Sequence, residues 1–150
     1  RNTQFVINER GIQVEVADLP RCWGDEIQLG QVFSNIVDNA IKYLDPARPG
    51  RVRVTGRVAG DYAVYEVEDN GIGIAPDHQA QVFEIFHRLA PDGDVPGEGL
   101  GLAVVRRILD RHDGDVRLVS TPGQGSRFIV ILPRRAGARA ASEVQLDENS

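Results

Sequence analysis

The sequence predicts a two-layer α/β sandwich with helices on one face of the sheet. Three observations carry this: an apolar stripe at helical spacing over about 25–44, period-two alternation in several short segments, and turn chemistry between those segments. Residues 1–10 read as the end of a preceding linker or helix, although Phe5, Val6 and Ile7 also suit a short strand, and Gly11 stops the segment. Ile12, Val14 and Val16 alternate with polar residues, a strand signal. Asp25 with Gln28 reads as a capping box. Leu29, Val32, Phe33, Ile36, Val37, Ala40, Ile41 and Leu44 then form one face of an amphipathic helix that Pro46 and Pro49-Gly50 end.

Val52, Val54 and Val58 predict a strand over 51–58, and Gly60-Asp61 a hairpin turn. Ala63, Tyr65 and Val67 continue as a second strand up to Asp69. A short helix is expected at 77–86 and a Gly/Pro-rich loop at 90–99. Leu102, Val105, Ile108 and Leu109 predict a third helix. A strand at about 115–120, a turn at 122–125 and a strand through Phe128, Val130 and Leu132 complete the domain. The domain is thus expected over 11–133, with 134–150 a disordered tail poor in apolar residues.

Composition bounds the function. A formal charge of −5, from 17 Lys+Arg against 22 Asp+Glu, weighs against a nucleic-acid binder but leaves room for a local phosphate pocket. Cys22 is the single cysteine, so no internal disulfide and no thiolate zinc cluster can form, and a reducing compartment is expected. His78, His87 and His112 lack metal-ligand spacing. No apolar run approaches the roughly 20 residues of a membrane span, and nothing resembles a signal peptide. A cytoplasmic location is expected, with no membrane contact by this segment.

Four segments carry chemistry. Asn35, Asn39 and Lys42 stand at i, i+4 and i+7 on the first long helix; taken alone this is more simply a solvated polar face, and it also suits a metal and phosphates. Asp69-Asn-Gly71-Ile-Gly73-Ile74 follows a strand, with Asp69 on the face of Tyr65 and Val67. A buried carboxylate needs a donor, and an adenine amino group is one; the two glycines would let backbone pass close to a flat ligand, or simply make a turn. Gly97-Glu-Gly99-Leu-Gly101-Leu102 opens a helix, and glycines there can present N–H groups to phosphate. It is neither a Walker nor a Rossmann pattern. Arg88, in Val82-Phe-Glu-Ile-Phe86-His-Arg88, could reach a phosphate.

In this order the four motifs resemble the ATP-binding domain of sensor histidine kinases, within the superfamily of gyrase, Hsp90 and MutL. The resemblance covers some four fifths of the chain. The run from Leu19-Pro20 through Gly24-Asp25 to Phe33 looks most like the phytochrome-related branch. The resemblance implies the Bergerat α/β sandwich with a mixed sheet, and Mg²⁺ and ATP as cofactors. Asn39 would ligate the metal, with Asn35 beside it; Lys42 and Arg88 would meet phosphate. Tyr43 would flank adenine and Asp69 would accept its amino group, with Gly71, Gly73 and Ile74 shaping the pocket. Residues 87–98 would form a lid, and Gly99, Leu100, Gly101 and Leu102 would lie under the triphosphate. Glu98 and His87 depart from the family's usual Thr and Tyr.

The implied function is to donate the γ-phosphate to a histidine on a separate helical dimerisation domain, and indirectly to serve a response regulator. The other readings are another ATPase of the superfamily, a serine kinase acting on an anti-sigma antagonist, or a non-catalytic nucleotide-binding module. Gyrase-like ATPases carry a glutamate where this chain has Asn35, a base that a carboxamide cannot replace.

Overall fold

The computed structural model describes residues 3–79, 82 and 98–145, with residues 3–6 and 98–100 described at the backbone alone. Helix α1 (Thr3–Arg10) resolves the ambiguity of the first ten residues in favour of helix. Gly11, at φ +66°, ends it, and the Ile12 N–H reaches back 3.0 Å to the Ile7 carbonyl, the bond that closes a left-handed helix cap. Strand β1 (Gln13–Val16) follows, then α2 (Glu26–Lys42), β2 (Arg51–Ala59) and β3 (Tyr62–Asp69). After these come the short α3 (Pro76–Gln79), α4 (Glu98–Arg111), β4 (Asp115–Thr121) and β5 (Gly125–Pro133). The remainder of the helix expected over 77–86 lies outside the described residues, apart from a turn at Val82.

The strands form one mixed sheet in the order β1-β2-β3-β5-β4. β1 and β2 are parallel, and α2 makes the crossover between them; the other neighbours are antiparallel. Helices α2 and α4 bury their stripes on one face. Leu29, Val32, Ile36, Ala40 and Ile41 from α2 meet Leu102, Val105, Ile108 and Leu109 from α4 over Val67, Phe128 and Val130 of the sheet. Alternation sends Ala63, Tyr65, Val67 and then Asp69 to this face.

The expected capping box is half right. Asp25 caps α2 by accepting from the Ile27 and Gln28 N–H groups at 2.9 and 3.0 Å. The return bond comes from elsewhere: the Asp25 N–H donates 3.1 Å to Nε2 of the buried His112. His112 Nδ1 lies 2.8 Å from the Ile108 carbonyl, so both ring nitrogens are engaged. Asp113 at φ 56° and the bond from the Gly114 N–H to the Leu109 carbonyl (2.8 Å) close the end of α4.

The expected disordered tail differs over 134–145. These residues strap the opposite face of the sheet. The Arg134 N–H donates to Asp61 O at 2.7 Å, and the Ala141 N–H to Asp113 O at 2.8 Å. Ala141–Glu143 forms a 3₁₀ turn whose Ala141 is fully buried against Val64 and Ile131. The Arg117 guanidinium holds the Val144 carbonyl, and Tyr62 Oη donates 2.8 Å to the Arg139 carbonyl. Composition hid this because backbone hydrogen bonds and one small apolar residue hold the strap. Residues 146–150 lie outside the described residues.

Truncation after Ala136 removes Ala141 and its backbone bonds, and should cost about 2–4 kcal/mol through exposure of Val64 and Ile131. Urea unfolding reads this as a lowered midpoint; an unchanged midpoint would show that the strap contributes no stability.

Candidate nucleotide site

The site is built at the C-terminal end of β3 and along one side of α2. Asp69 is the last residue of β3, on the helix-covered face, and is 8% exposed. Its Oδ1 accepts from the Gly71 N–H at 2.8 Å and the Ser126 N–H at 3.3 Å. Oδ2 takes no hydrogen bond among the described residues. Burial pushes the carboxyl up to about 6, against the lowering effect of the two backbone donors, and neighbouring Glu68 adds a smaller upward push. This end of the sheet therefore presents a desolvated acceptor short of donors.

Gly71 and Gly73 are required by the protein itself. A Cβ at Gly71 would sit 2.3 Å from the Tyr43 carbonyl oxygen, and one at Gly73 would sit 2.4 Å from that of Thr121. Gly73 also has φ +77°. The sequence leaves two readings of these glycines, ligand approach and a tight turn, and the space a Cβ would take at each is held by protein backbone. Tyr43 caps the end of α2 and is half-buried, and its carbonyl accepts from Ile72 N–H at 3.0 Å. The Ile74 N–H donates to Ser120 Oγ at 2.7 Å, while its side chain packs on the core.

The side of α2 facing α4 carries the two asparagines. Asn35 Nδ2 donates 3.2 Å to the Gly101 carbonyl, so it ties α2 to the first turns of α4. Asn39 is half-buried, and its carboxamide makes no hydrogen bond among the described residues. Lys42 is exposed in the last turn of α2. Helix α4 spans Glu98–Arg111, so Gly99, Leu100, Gly101 and Leu102 lie within its opening turns, Gly99 among them although the expected loop runs to that residue. Leu102 is core. Gly101 differs from Gly71 and Gly73: no described atom lies within 4 Å of where its Cβ would be. Arg88 and the expected lid up to residue 97 lie outside the described residues.

Sequence reasoning missed Arg48. Its Nε donates to the Asn70 carbonyl at 2.8 Å, and its Nη2 donates to those of Gly71 and Gly123 at 2.7 and 3.0 Å. It sits in the loop after α2, outside every motif, where no periodicity marks it.

No group of His, Cys, Asp and Glu among the described residues could hold a metal ion. The Asn39 carboxamide oxygen, on this side of α2, suits Mg²⁺ as one ligand among phosphates and waters. No helix among the described residues is long and apolar enough to cross a membrane.

Comparison with known proteins identifies the family and the fold. Residues 24–136 match the family of histidine kinase-, DNA gyrase B- and HSP90-like ATPases. The phytochrome-like protein Cph1 of Synechocystis is 39% identical over 88% of this chain and 18% of its own length. The methanogenesis regulatory histidine kinase FilI of Methanothrix harundinacea is 37% identical over 85% of this chain and 14% of its own. The chain thus spans less than a fifth of these relatives. Among solved structures, the mycobacterial sensor histidine kinase MprB superposes with TM-score 0.72 at 34% identity, covering 90% of this chain and 92% of that one. ShkA, solved with AMPPNP, superposes at 0.73 and 32% identity over 90% of this chain and 28% of its own. The fold is that of histidine kinase catalytic domains, and the chain belongs to the family of histidine kinase-, DNA gyrase B- and HSP90-like ATPases.

Proposed function

We propose that this chain is the ATP-binding half of a sensor histidine kinase and presents the γ-phosphate of Mg·ATP to a histidine on a separate helical domain. The observation that carries this is Asp69, a desolvated acceptor at the end of β3 beside a glycine turn. Asp69 takes the adenine amino hydrogen bond. Tyr43 flanks the base, and Gly71, Gly73 and Ile74 shape its pocket. Asn39 holds Mg²⁺, which when bound neutralises phosphate charge. Lys42 and Arg88 add positive charge to the phosphates, and the opening turn of α4 at Gly99, Leu100, Gly101 and Leu102 lies beneath them. Catalysis of this kind is positioning and charge neutralisation.

His112 is unsuited to be the phospho-acceptor, since it is buried with both ring nitrogens bonded. Asn35 supports holding nucleotide over consuming it. It is a carboxamide whose donor is committed to Gly101, so it cannot activate water. A response regulator would receive the phosphoryl group from the partner domain.

Three outcomes test this reading. Asp69→Asn replaces an acceptor oxygen by a donor and should weaken ATP binding tenfold or more, about 1.4 kcal/mol, in calorimetry. Unchanged affinity in the folded variant would remove Asp69 from the site.

The pH dependence has a definite sign. Asp69 titrates near 6 in the folded chain and near the ordinary 3.8 when unfolded, so the native state holds the extra proton between those values. Its contribution to stability is present below that window and lost as pH rises through about 6, a loss that Asp69→Asn should abolish. Adenine favours the ionised form, so ATP affinity should fall as pH drops through about 6. Urea unfolding and ATP titrations at pH 4 to 8 measure both.

The pure chain saturated with Mg·ATP should release ADP very slowly in a coupled assay and carry no label from radioactive ATP. Mixed with the helical domain of its parent, it should label that domain on histidine. Rapid turnover that vanishes in Asn39→Ala would favour the ATPase reading, and acid-stable label on its own Ser or Thr the serine-kinase one.

A further inference from the structure

Asp69 and Arg48 grip opposite ends of one peptide unit. The carbonyl of Asn70 and the N–H of Gly71 belong to the same planar amide. Arg48 Nε donates to that carbonyl at 2.8 Å, and the N–H donates to Asp69 Oδ1 at 2.8 Å. The next carbonyl, of Gly71, goes to Arg48 Nη2 at 2.7 Å, and the same nitrogen reaches Gly123 O on the β4–β5 turn at 3.0 Å. Three carbonyl dipoles from two loops thus converge on one guanidinium, whose rigid fork suits such a bridge. Asp45 lies 3.9 Å from Nη1 on the other side.

The neighbourhood is laced in the same sense. Asn70 Oδ1 accepts from the Arg51 N–H and its Nδ2 donates to the Pro49 carbonyl, both at 2.8 Å. The loop after α2 and the glycine turn after β3 are therefore tied together by side-chain bonds from both Arg48 and Asn70. The amide between Asn70 and Gly71 cannot flip without losing both Arg48 and Asp69.

We propose that Arg48 is a positioning residue for base selectivity: by fixing this amide it keeps Asp69 Oδ1 occupied and offers Oδ2 alone, in one orientation, to the base. The inference rests on the adenine reading of Asp69 above. Adenine presents an amino donor at C6 where guanine presents a carbonyl. A single fixed acceptor takes the first and repels the second, and such polar mismatches discriminate strongly. Without Arg48 the amide loses its hold on the carbonyl side, the Gly71 N–H bond to Oδ1 loosens, and the Ser126 N–H at 3.3 Å is left as the other donor to Oδ1, so the carboxylate gains freedom to rotate.

The test compares Mg·ATP and Mg·GTP binding to the whole chain by calorimetry, in wild type, Arg48→Lys and Arg48→Gln. Lysine keeps the charge but one ammonium cannot span the three carbonyls; glutamine keeps an amide donor without charge. Thermal melts accompany each titration. ATP affinity should fall roughly tenfold in both variants with GTP affinity unchanged or raised, so that the ATP/GTP ratio narrows. In an Asp69→Asn background the Arg48 substitutions should change the ratio little, because their effect runs through that carboxylate. Equal losses for both nucleotides, including losses that accompany melting, would overturn the inference and leave Arg48 a structural residue. Additive effects with Asp69→Asn would overturn it too. A wild-type chain that shows no preference for ATP over GTP would instead overturn the adenine reading itself.

Discussion

A strand hydrogen-bonded along both edges and packed on both faces cannot slip its register without breaking many contacts at once. β3 is that strand. It pairs with β2 and β5 over its whole length, buries Ala63, Tyr65 and Val67 under the helices, and buries Val64 under the strap. Its alternation continues one step beyond the last apolar residue, so Asp69 is delivered to the buried face by the same period that delivers Val67. The carboxylate must then find donors in place, and it finds Gly71 and Ser126. Gly125 has to be glycine because a Cβ there would sit 2.0 Å from the Asp69 carbonyl oxygen. The chemistry at the end of β3 follows from the rigidity of its middle.

The two long helices are set against each other by polar contacts at separate heights. Near its start, α2 offers the Asp25 N–H to His112 at the end of α4; two to three turns on, Asn35 reaches Gly101 in the opening turns of α4. The helices therefore run antiparallel, with the glycine-rich start of α4 brought beside the middle of α2. Apolar packing supplies the bulk of the stability, but it tolerates sliding along the helix axis; directional hydrogen bonds restrict it.

Regular periods were the legible part of the sequence. The α2 stripe, the β2–β3 hairpin and the alternation of β5 appear where they are expected, because each buries a continuous row of side chains. Asp69 was legible for the same reason. Contacts that depend on long separations were not. His112 completes the Asp25 cap across 87 residues, and Gln28 was the local candidate in its place. Arg48 acts through carbonyls, which every residue has, so no residue pattern announces it. The strap was read as disordered because its composition is poor in apolar residues, whereas Ala141 needs only one small pocket over Val64 and Ile131. The Gly/Pro-rich composition of 90–99 extends the expected loop to Gly99, yet Gly99 lies within α4.

The hydrogen bond from Asn35 to Gly101 also bears on how such domains diverge. A glutamate at this position, the residue that the resemblance assigns to gyrase-like ATPases, would set a carboxylate against the Gly101 carbonyl oxygen, acceptor against acceptor. The exchange would gain a base for water and in the same stroke remove the polar tie between α2 and the opening turn of α4. A domain that stores its nucleotide and one that spends it are therefore separated by more than one substitution: the new base has to arrive together with a new fastening for α4. Coupling of that kind makes the fastening seen here hard to exchange by single mutational steps, because a carboxylate at this position and the bond to the Gly101 carbonyl exclude each other.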